Sequence, residues 1–481
     1  MPKEILINAD LPEKRVGVVT DGRLEEFYLE QPGDKTIVGN IYKGRIETVV
    51  PSLNAAFVDI GQSKKGFLYL SEIEYSTYEP IEQVPSAAPL KLKKGDEVLV
   101  QVVKEAYATK GPRISGHIGI PGRYLVLAPQ NSHCGVSRRI EDDKERRRLK
   151  SILDSLRLPK TIGFIVRTAA VGKSSSELLR DARFLLRLWA RIKKTSARRH
   201  APSLVYEEYG LILRIIRDSF TEEVNSVVVD SKLEYRRIHS FVRTFGRHLG
   251  RRIHFYKGAD LFFEKDIEKQ ISRIFERCVY LKSKAYIVIE PTEGLVVIDV
   301  NSGGFKKNLS PEEAAFKINS EAALEVARQL RLRDLGGIIV IDFIDMEKEG
   351  HRREVFNILN RQLSKDKAKY DCLGISKFGL VQLTRERVHD TVQAQTYETC
   401  PYCQGKGRIM SAMTLCTLAF RQLKRHLQQN RPQRVSISLN PAVISLMEKY
   451  RDSLRFLERQ FRARIELISN PTQHLEEIKI S

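Results

Sequence analysis

Two short apolar runs constrain this chain more than any other feature. LVVIDVNSGG spans 295–304 and GGIIVIDFID spans 336–345, and each sets an aspartate at the end of what reads as a buried strand. Between them Pro311 opens a helix, with apolar positions at helical spacing, that should end near Leu332. Strand–helix–strand order of this kind predicts an α/β sheet with ligands at the strand ends. A carboxylate at the tip of a buried strand is costly to desolvate unless something compensates it. Two of them side by side repel unless they share a proton or a cation. Asp299 is one member of such a pair. Alternation puts Asp342 and Asp345 on opposite faces, so only one of them should join it, and periodicity does not say which. Asn301, two residues beyond Asp299, shares its face and is placed to orient the carboxylate or a phosphate. Hard oxygen donors in small number suit Mg²⁺, which keeps several waters. Such a site can activate water and stabilise charge on a phosphodiester. The plainer alternative, that these aspartates are caps or ion-pair partners, serves one of them better than two.

The charge balance points the same way. Lys and Arg number 81 against 60 Asp and Glu, a net charge of +21. That surplus favours a polyanionic partner, nucleic acid first and an anionic membrane surface second. With 42% hydrophobic and 29% charged residues the chain is globular in composition rather than disordered. Its 481 residues imply three or more domains. No run reaches the roughly 18 apolar residues of a membrane span, and the opening MPKEILIN has no signal-peptide core. Cys134, Cys278, Cys372 and Cys416 are scattered, which fits a reducing cytoplasm better than a disulfide framework.

Along the chain, strand signals dominate up to about Pro129, with Asp21-Gly22 as a hairpin turn. From Ile37 onward IVGNIYKGRIETVV, AAFVDIG, KGFLYL, DEVLVQVVKEA and YLVLA read as five short strands of a small closed barrel. Phe57 and Phe67 lie in it among Lys43, Arg45, Lys64 and Lys65. Aromatics so placed can stack bases while cations hold the backbone, though strand aromatics are more often core. Helices are expected at 141–156, from the serine cap before SSELLRDARFLLRLWARIKK, and at 262–277. The segment GFIVRTAAVGKSS resembles a Walker loop at Gly172-Lys173-Ser174, but Arg167 stands where that motif needs a glycine. It remains a strand end followed by a donor-rich loop able to hold a lone phosphate. AYIVIEPTEGLVVIDV should form a hairpin turned at Thr292-Glu293-Gly294. Near the end, Cys400-Pro-Tyr-Cys403-Gln-Gly-Lys-Gly is half of a zinc site by spacing. Distant ligands or a second chain must supply the rest, and the second option predicts a zinc-linked dimer. A redox pair would sit at a helix start after a strand instead. The tail after it reads as a small α/β domain.

Taken in order, IVGNIYKGRI, AAFVDIG, GFIVRTA with VGKS, IDVNSG, RQLRLRDLGGIIVIDFIDM and CPYCQGKG resemble the ribonuclease E/G family, over essentially the whole chain. The resemblance implies an α/β (α+β multidomain) architecture. An RNase H-like domain comes in two parts, 1–36 and 214–277. Into it is inserted an OB-type RNA-binding barrel at 37–124 and a 5′-sensor region at 125–213. A DNase I-like catalytic domain at 278–399, a zinc link at 400–414 and a small C-terminal domain at 415–481 follow. It implies that Asp299 and Asp342, rather than Asp345, hold Mg²⁺, with Asn301 near the scissile phosphate. It implies that Arg167 and Thr168 hold a 5′-monophosphate, and that Phe57 and Phe67, with Lys110, hold RNA. Cys400 and Cys403 match the Zn²⁺ link shared by two subunits of a homodimer, which in turn can pair into a tetramer.

The activity so implied is cytoplasmic endonucleolytic hydrolysis of single-stranded RNA, in rRNA maturation and mRNA decay, with 5′-phosphate and 3′-hydroxyl products. The length resembles the ribonuclease G branch, without the long scaffold arm of some relatives. The loop SGGFKKN departs from some relatives and bears on cleavage preference. A non-catalytic RNA-binding or ribosome-assembly protein and a metal-dependent DNA nuclease are the rival readings.

Overall fold

The computed structural model describes residues 2–33, 36–72, 92–106, 110–130, 132, 134–305, 309–387 and 391–481, in two compact units divided after Gln395. Lys306, Lys307 and Asn308 of the SGGFKKN loop lie outside the described residues.

The first unit holds four sheets. Lys3–Asn8 pairs in parallel with Val224–Val229, which pairs in turn with Ile253–Phe255, while Lys14–Thr20 and Arg23–Glu30 extend the other side. Fully buried Ile5, Ile7 and Val227 pack under the Leu211–Ser219 and Lys232–Val242 helices. The single helix expected at 262–277 is broken into Leu261–Glu264, Glu268–Ser272 and a 3-10 turn, with Asp266 between them at φ 55°.

The barrel runs Ile41–Val50, Ala55–Asp59, Gly66–Tyr69, Arg113–Ser115 and Glu97–Lys104, and closes because Ile41–Val50 also pairs with Glu97–Lys104. Five strands were expected, but the fifth is not YLVLA. Leu125–Ala128 belongs to a neighbouring sheet with Ile120–Pro121, Gly163–Val166 and Gly135–Val136. Arg113–Ser115 takes its place, a three-residue strand too short to announce itself by alternation. Gly44 lets the barrel wall close, since a Cβ there would meet Val58 Cγ1 at 2.5 Å. Two helices cover the neighbouring sheet. Asp143–Ser155 is capped by Asp142, and Ser175–Arg198 opens on a capping box of Ser174 and Glu177 and buries Leu178, Leu185 and Trp189.

The fourth sheet has the order Cys278–Tyr280, Tyr286–Pro291, Leu295–Asn301, Gly337–Asp342, Leu380–Arg385, Tyr370–Cys372. The hairpin turns at Thr292, whose N–H donates to Leu295 O, as the sequence predicts. The helix Pro311–Leu332 has the predicted bounds, with Pro311 at its start and a Ser310/Glu313 capping box. With Glu349–Leu363 it covers one face of the sheet in a single apolar core.

The second unit has a parallel pair, Arg434–Leu439 and Arg464–Ser469, with Lys479–Ile480 antiparallel at the edge. Ala412–Asn430, Pro441–Lys449 and Arg451–Phe461 pack on it. Among the described residues no helix is long and apolar enough to cross a membrane.

Candidate active site

The two aspartate-tipped strands lie side by side at the centre of the six-stranded sheet, parallel, in a register that sets Ile298 beside Ile341 and Asp299 beside Asp342. Neighbouring strands are ~4.8 Å apart, so the two carboxylates leave the sheet together on one face. It is the face the helices leave open. Ile298, Val300, Ile339 and Ile341 are buried in the apolar core, whereas Asp299 and Asp342 are exposed. Asn301 follows on the same face, and its Nδ2 donates to Asp299 Oδ2 at 2.7 Å. One oxygen of Asp299 is thereby oriented.

Partial burial, and then the negative charges of Asp299 and Asp345, push the Asp342 carboxyl above its ordinary value. Alternation does not separate Asp342 from Asp345 as the sequence suggested, because the strand ends at Asp342. Asp345 sits in the loop beyond, close enough to act on Asp342 electrostatically. Among the described residues no lysine or arginine pairs with Asp299 or Asp342. The described side chains also form no cluster of three or more His, Cys, Asp or Glu ligands. Repelling, uncompensated carboxylates, few in number, fit a hard cation that keeps most of its water.

The loop after Asp342 is held from the helix side. Buried Asn319 donates its Nδ2 to Ile344 O at 2.7 Å and accepts the Ile344 N–H at 3.1 Å. Glu312 accepts the N–H groups of Glu347 and Lys348. Sequence reasoning missed Asn319, although a polar residue beside Ile318 in an apolar helical stripe was the available signal. On the other strand, Gly303 at φ 51° turns the chain after Asn301, and a Cβ there would meet Lys284 O at 2.7 Å.

Arg167 ends the Gly163–Val166 strand and Thr168 opens the turn that follows. The Arg167 guanidinium donates to Gly122 O at 2.6 Å and pairs with Asp218 at 2.7 Å. Burial acts to raise the Asp218 carboxyl, but Arg167 and Arg217 outweigh it and hold it low. Thr168 is exposed. The Gly172–Ser174 stretch is less open to a phosphate than its composition suggested. Gly172 N–H goes to Glu145, Lys173 pairs with Glu222 and Glu177, and Ser174 caps a helix.

In the barrel, Phe57 and Phe67 face each other across paired strands, with ring centroids 5.7 Å apart and edge to face. Both are half-buried. Tyr69 continues the row, 5.0 Å from Phe67 and 38% exposed, with the Arg113 guanidinium 5.2 Å from its ring. Tyr69 was overlooked although alternation along KGFLYL sets it on the face of Phe67; its Arg113 neighbour lies on the strand that was not recognised. Lys110 is exposed just before Arg113. The basic flanks are partly spent: Lys43 is buried against Glu97 and Arg199 O, Arg45 also reaches Glu97, and Lys65 pairs with Glu47.

In the second unit Cys400 and Cys403 bracket a tight turn. Gln404 N–H donates to Cys400 O and Lys406 N–H to Cys403 O, with Gln404, Gly405 and Gly407 at positive φ. The backbone N–H groups of Cys403 and Tyr402, and then the Cys403 thiol, hold the Cys400 thiol below its ordinary value. His474 contacts Tyr402 O at 2.5 Å and packs on the Tyr402 ring, anchoring the turn to the small domain. The thiols are not at a helix start, since the next helix begins at Ala412. Two thiols bracketing a glycine-rich turn, with Cys400 drawn toward the thiolate, suit half of a tetrahedral zinc site.

A closed barrel bearing a row of aromatics, in one chain with a carboxylate-tipped α/β sheet, is the equipment of a protein that handles nucleic acid. Comparison with known families makes this specific. Residues 119–388 match the Ribonuclease E/G family, residues 35–116 the S1 RNA binding domain, and residues 399–481 the RNase E/G, Thioredoxin-like domain. The chain is 37% identical to Ribonuclease G of Escherichia coli (strain K12), over 98% of this chain and 99% of that protein. It is 38% identical to Ribonuclease G of Haemophilus influenzae, over 92% and 91%. Against Ribonuclease E of Escherichia coli (strain K12) it is 39% identical over 97% of this chain but 45% of that protein. The chain belongs to the ribonuclease E/G family, and it is similar to its ribonuclease G members along nearly their full length.

Proposed function

We propose that this chain is a Mg²⁺-dependent endoribonuclease that hydrolyses single-stranded RNA to 5′-phosphate and 3′-hydroxyl products, and that it acts in rRNA maturation and mRNA decay. The observation that carries the reading is the aligned pair Asp299 and Asp342 on the open face of the sheet. These two would hold the metal, which when bound supplies an activated water and positive charge against the phosphodiester. Asn301 Nδ2 donates to Asp299, and in this reading its remaining amide hydrogen would donate to a phosphate oxygen. Asn319 fixes the loop beyond Asp342. The aromatic row of the barrel stacks bases and holds a single strand extended.

The deciding experiment incubates end-labelled single-stranded RNA with the protein in Mg²⁺ and in chelator, with single-stranded DNA as competitor. Mg²⁺-dependent internal cuts bearing 5′-phosphates are expected. Stable binding without cleavage would leave a non-catalytic RNA-binding protein, and preferential cutting of DNA a DNA nuclease.

Arg167 and Thr168 are proposed to receive a 5′-monophosphate, which a bulkier triphosphate would fit poorly. Hydrogen bonds to charged groups are worth roughly 1.5–3 kcal/mol. Arg167→Ala is therefore expected to remove about tenfold or more of the rate preference for 5′-monophosphorylated over 5′-hydroxyl RNA. The Asp218 carboxylate keeps Arg217 as a partner, so the fold survives. Equal rate loss on both kinds of end would rule out the sensor.

Base–aromatic stacking contributes about 1–3 kcal/mol per base. Phe57→Ala and Phe67→Ala should each weaken single-stranded RNA binding by about tenfold in a filter-binding titration. Affinity within twofold of the parent would return both rings to a core role. Cys400 and Cys403 are proposed to bind Zn²⁺ jointly with the same pair of a second subunit, giving a homodimer that can assemble further.

A further inference from the structure

A cleft of about 790 Å³ lies on the helix side of the catalytic sheet, away from the open face that carries Asp299 and Asp342. Its size falls within the roughly 300–1,000 Å³ of small-molecule sites. The Pro311–Leu332 and Glu349–Leu363 helices form two sides, and the Lys282–Lys284 turn a third. The loop that leaves Asn301 supplies the remaining edge through Gly304 and Phe305.

Three chemistries meet there. Lys282, Lys284, Lys317 and Arg361 ring the cleft, all exposed. Among the described residues Lys282, Lys284 and Arg361 have no carboxylate partner. Phe305, Leu324 and Ile358 give an apolar floor, with Leu324 47% exposed although its neighbours Ala323 and Val326 on the same helix are buried in the core. A single carboxylate, Glu321, accepts the Ser283 N–H at 3.2 Å, while the buried Ser283 Oγ has no partner. Cations for a phosphate, an apolar wall for a flat ring, and a carboxylate and hydroxyl for a sugar diol together define one ligand class.

We propose that this cleft binds a nucleotide, either free or as one residue of an RNA. The inference does not rest on the metal reading of Asp299 and Asp342. It gives such a ligand a direct route to the active site. Gly304 N–H donates to Lys284 O, and Phe305 N–H to Ser302 O, so the segment after Asn301 is laid across the cleft's rim. Occupancy would fix that segment.

The test is calorimetric titration of the full chain with AMP, and separately with inorganic phosphate. AMP should bind saturably and tighter than phosphate. Lys284→Glu and Arg361→Glu should each weaken AMP about tenfold, the equivalent of ~1.4 kcal/mol. Leu324→Glu, at an exposed helix position, provides a third variant that spares the core, with circular dichroism melting as the folding check. Short 5′-hydroxyl RNA, titrated in chelator, separates the two sources. If AMP displaces it and Arg361→Glu weakens it, the nucleotide belongs to RNA. If RNA binding is indifferent while AMP binding falls, the occupant is free. Absence of saturable AMP binding to about 1 mM, or AMP affinity unchanged in all three folded variants, overturns the proposal.

Discussion

Asp299→Asn and Asp342→Asn are each expected to lower kcat/KM on single-stranded RNA by at least about 10³-fold, a loss of ~4 kcal/mol of transition-state stabilisation. RNA affinity should stay within about threefold, a difference of under 1 kcal/mol. The reasoning is local. Asparagine keeps the volume and the Asp299 contact with Asn301 in kind, but removes the charge that makes the pair a cation site. The same change relieves repulsion. Burial and the charges of Asp299 and Asp345 raise the Asp342 carboxyl. Without metal, neither variant should therefore melt below the parent. The combination separates a catalytic role from a structural one: activity falls and stability does not. Full cleavage by either variant with Mg²⁺ as the only divalent ion would sink the assignment, and a lowered melting temperature would point to capping or ion pairing instead.

Cys400→Ala is expected to abolish zinc binding and shift the protein from dimer to monomer in sedimentation. Structural zinc is worth on the order of 10 kcal/mol in small domains. Removing one thiolate from each chain should therefore move dimerisation by orders of magnitude. Cys403→Ala should behave alike. Cys416→Ala provides the contrast, because that thiol is buried in the core of the small domain and has no place at the turn. A Cys400→Ala protein still dimeric and zinc-loaded would refute the shared site. A Cys416→Ala protein that lost its metal would move the ligands elsewhere.

What the sequence revealed about this molecule follows the range of the forces involved. The helix from Pro311 was legible because its cap, its proline and its apolar spacing are all local. The convergence of Asp299 and Asp342 was legible as a possibility, since strand–helix–strand order brings such tips together. The register that aligns them is a tertiary fact. Alternation misjudged Asp345 because it assumed a strand three residues longer than the one that forms. The barrel's fifth strand was missed for a related reason: Arg113–Ser115 is a strand only because Phe67 and Gln101 pair with it. With it went the Arg113 neighbour of Tyr69. Lys43 read as a surface cation, yet Glu97 and Arg199 O draw it inside. Asn319 could have been suspected from its place in an apolar stripe, but not its grip on Ile344.

The sheet containing Lys3–Asn8 also sets the order in which this protein can be made. Asn8 bonds Asp230 across 222 positions of sequence, and the parallel neighbour of the first strand is Val224–Val229. During synthesis the N-terminal strands emerge long before their partner, so the barrel and the helices that follow it can pack first. The opening hairpin meanwhile presents an unpaired edge. Closing so large a loop costs little stability but much time. A chain stopped before residue 224 would expose that edge, whereas one that passes 229 gains the strand that covers it.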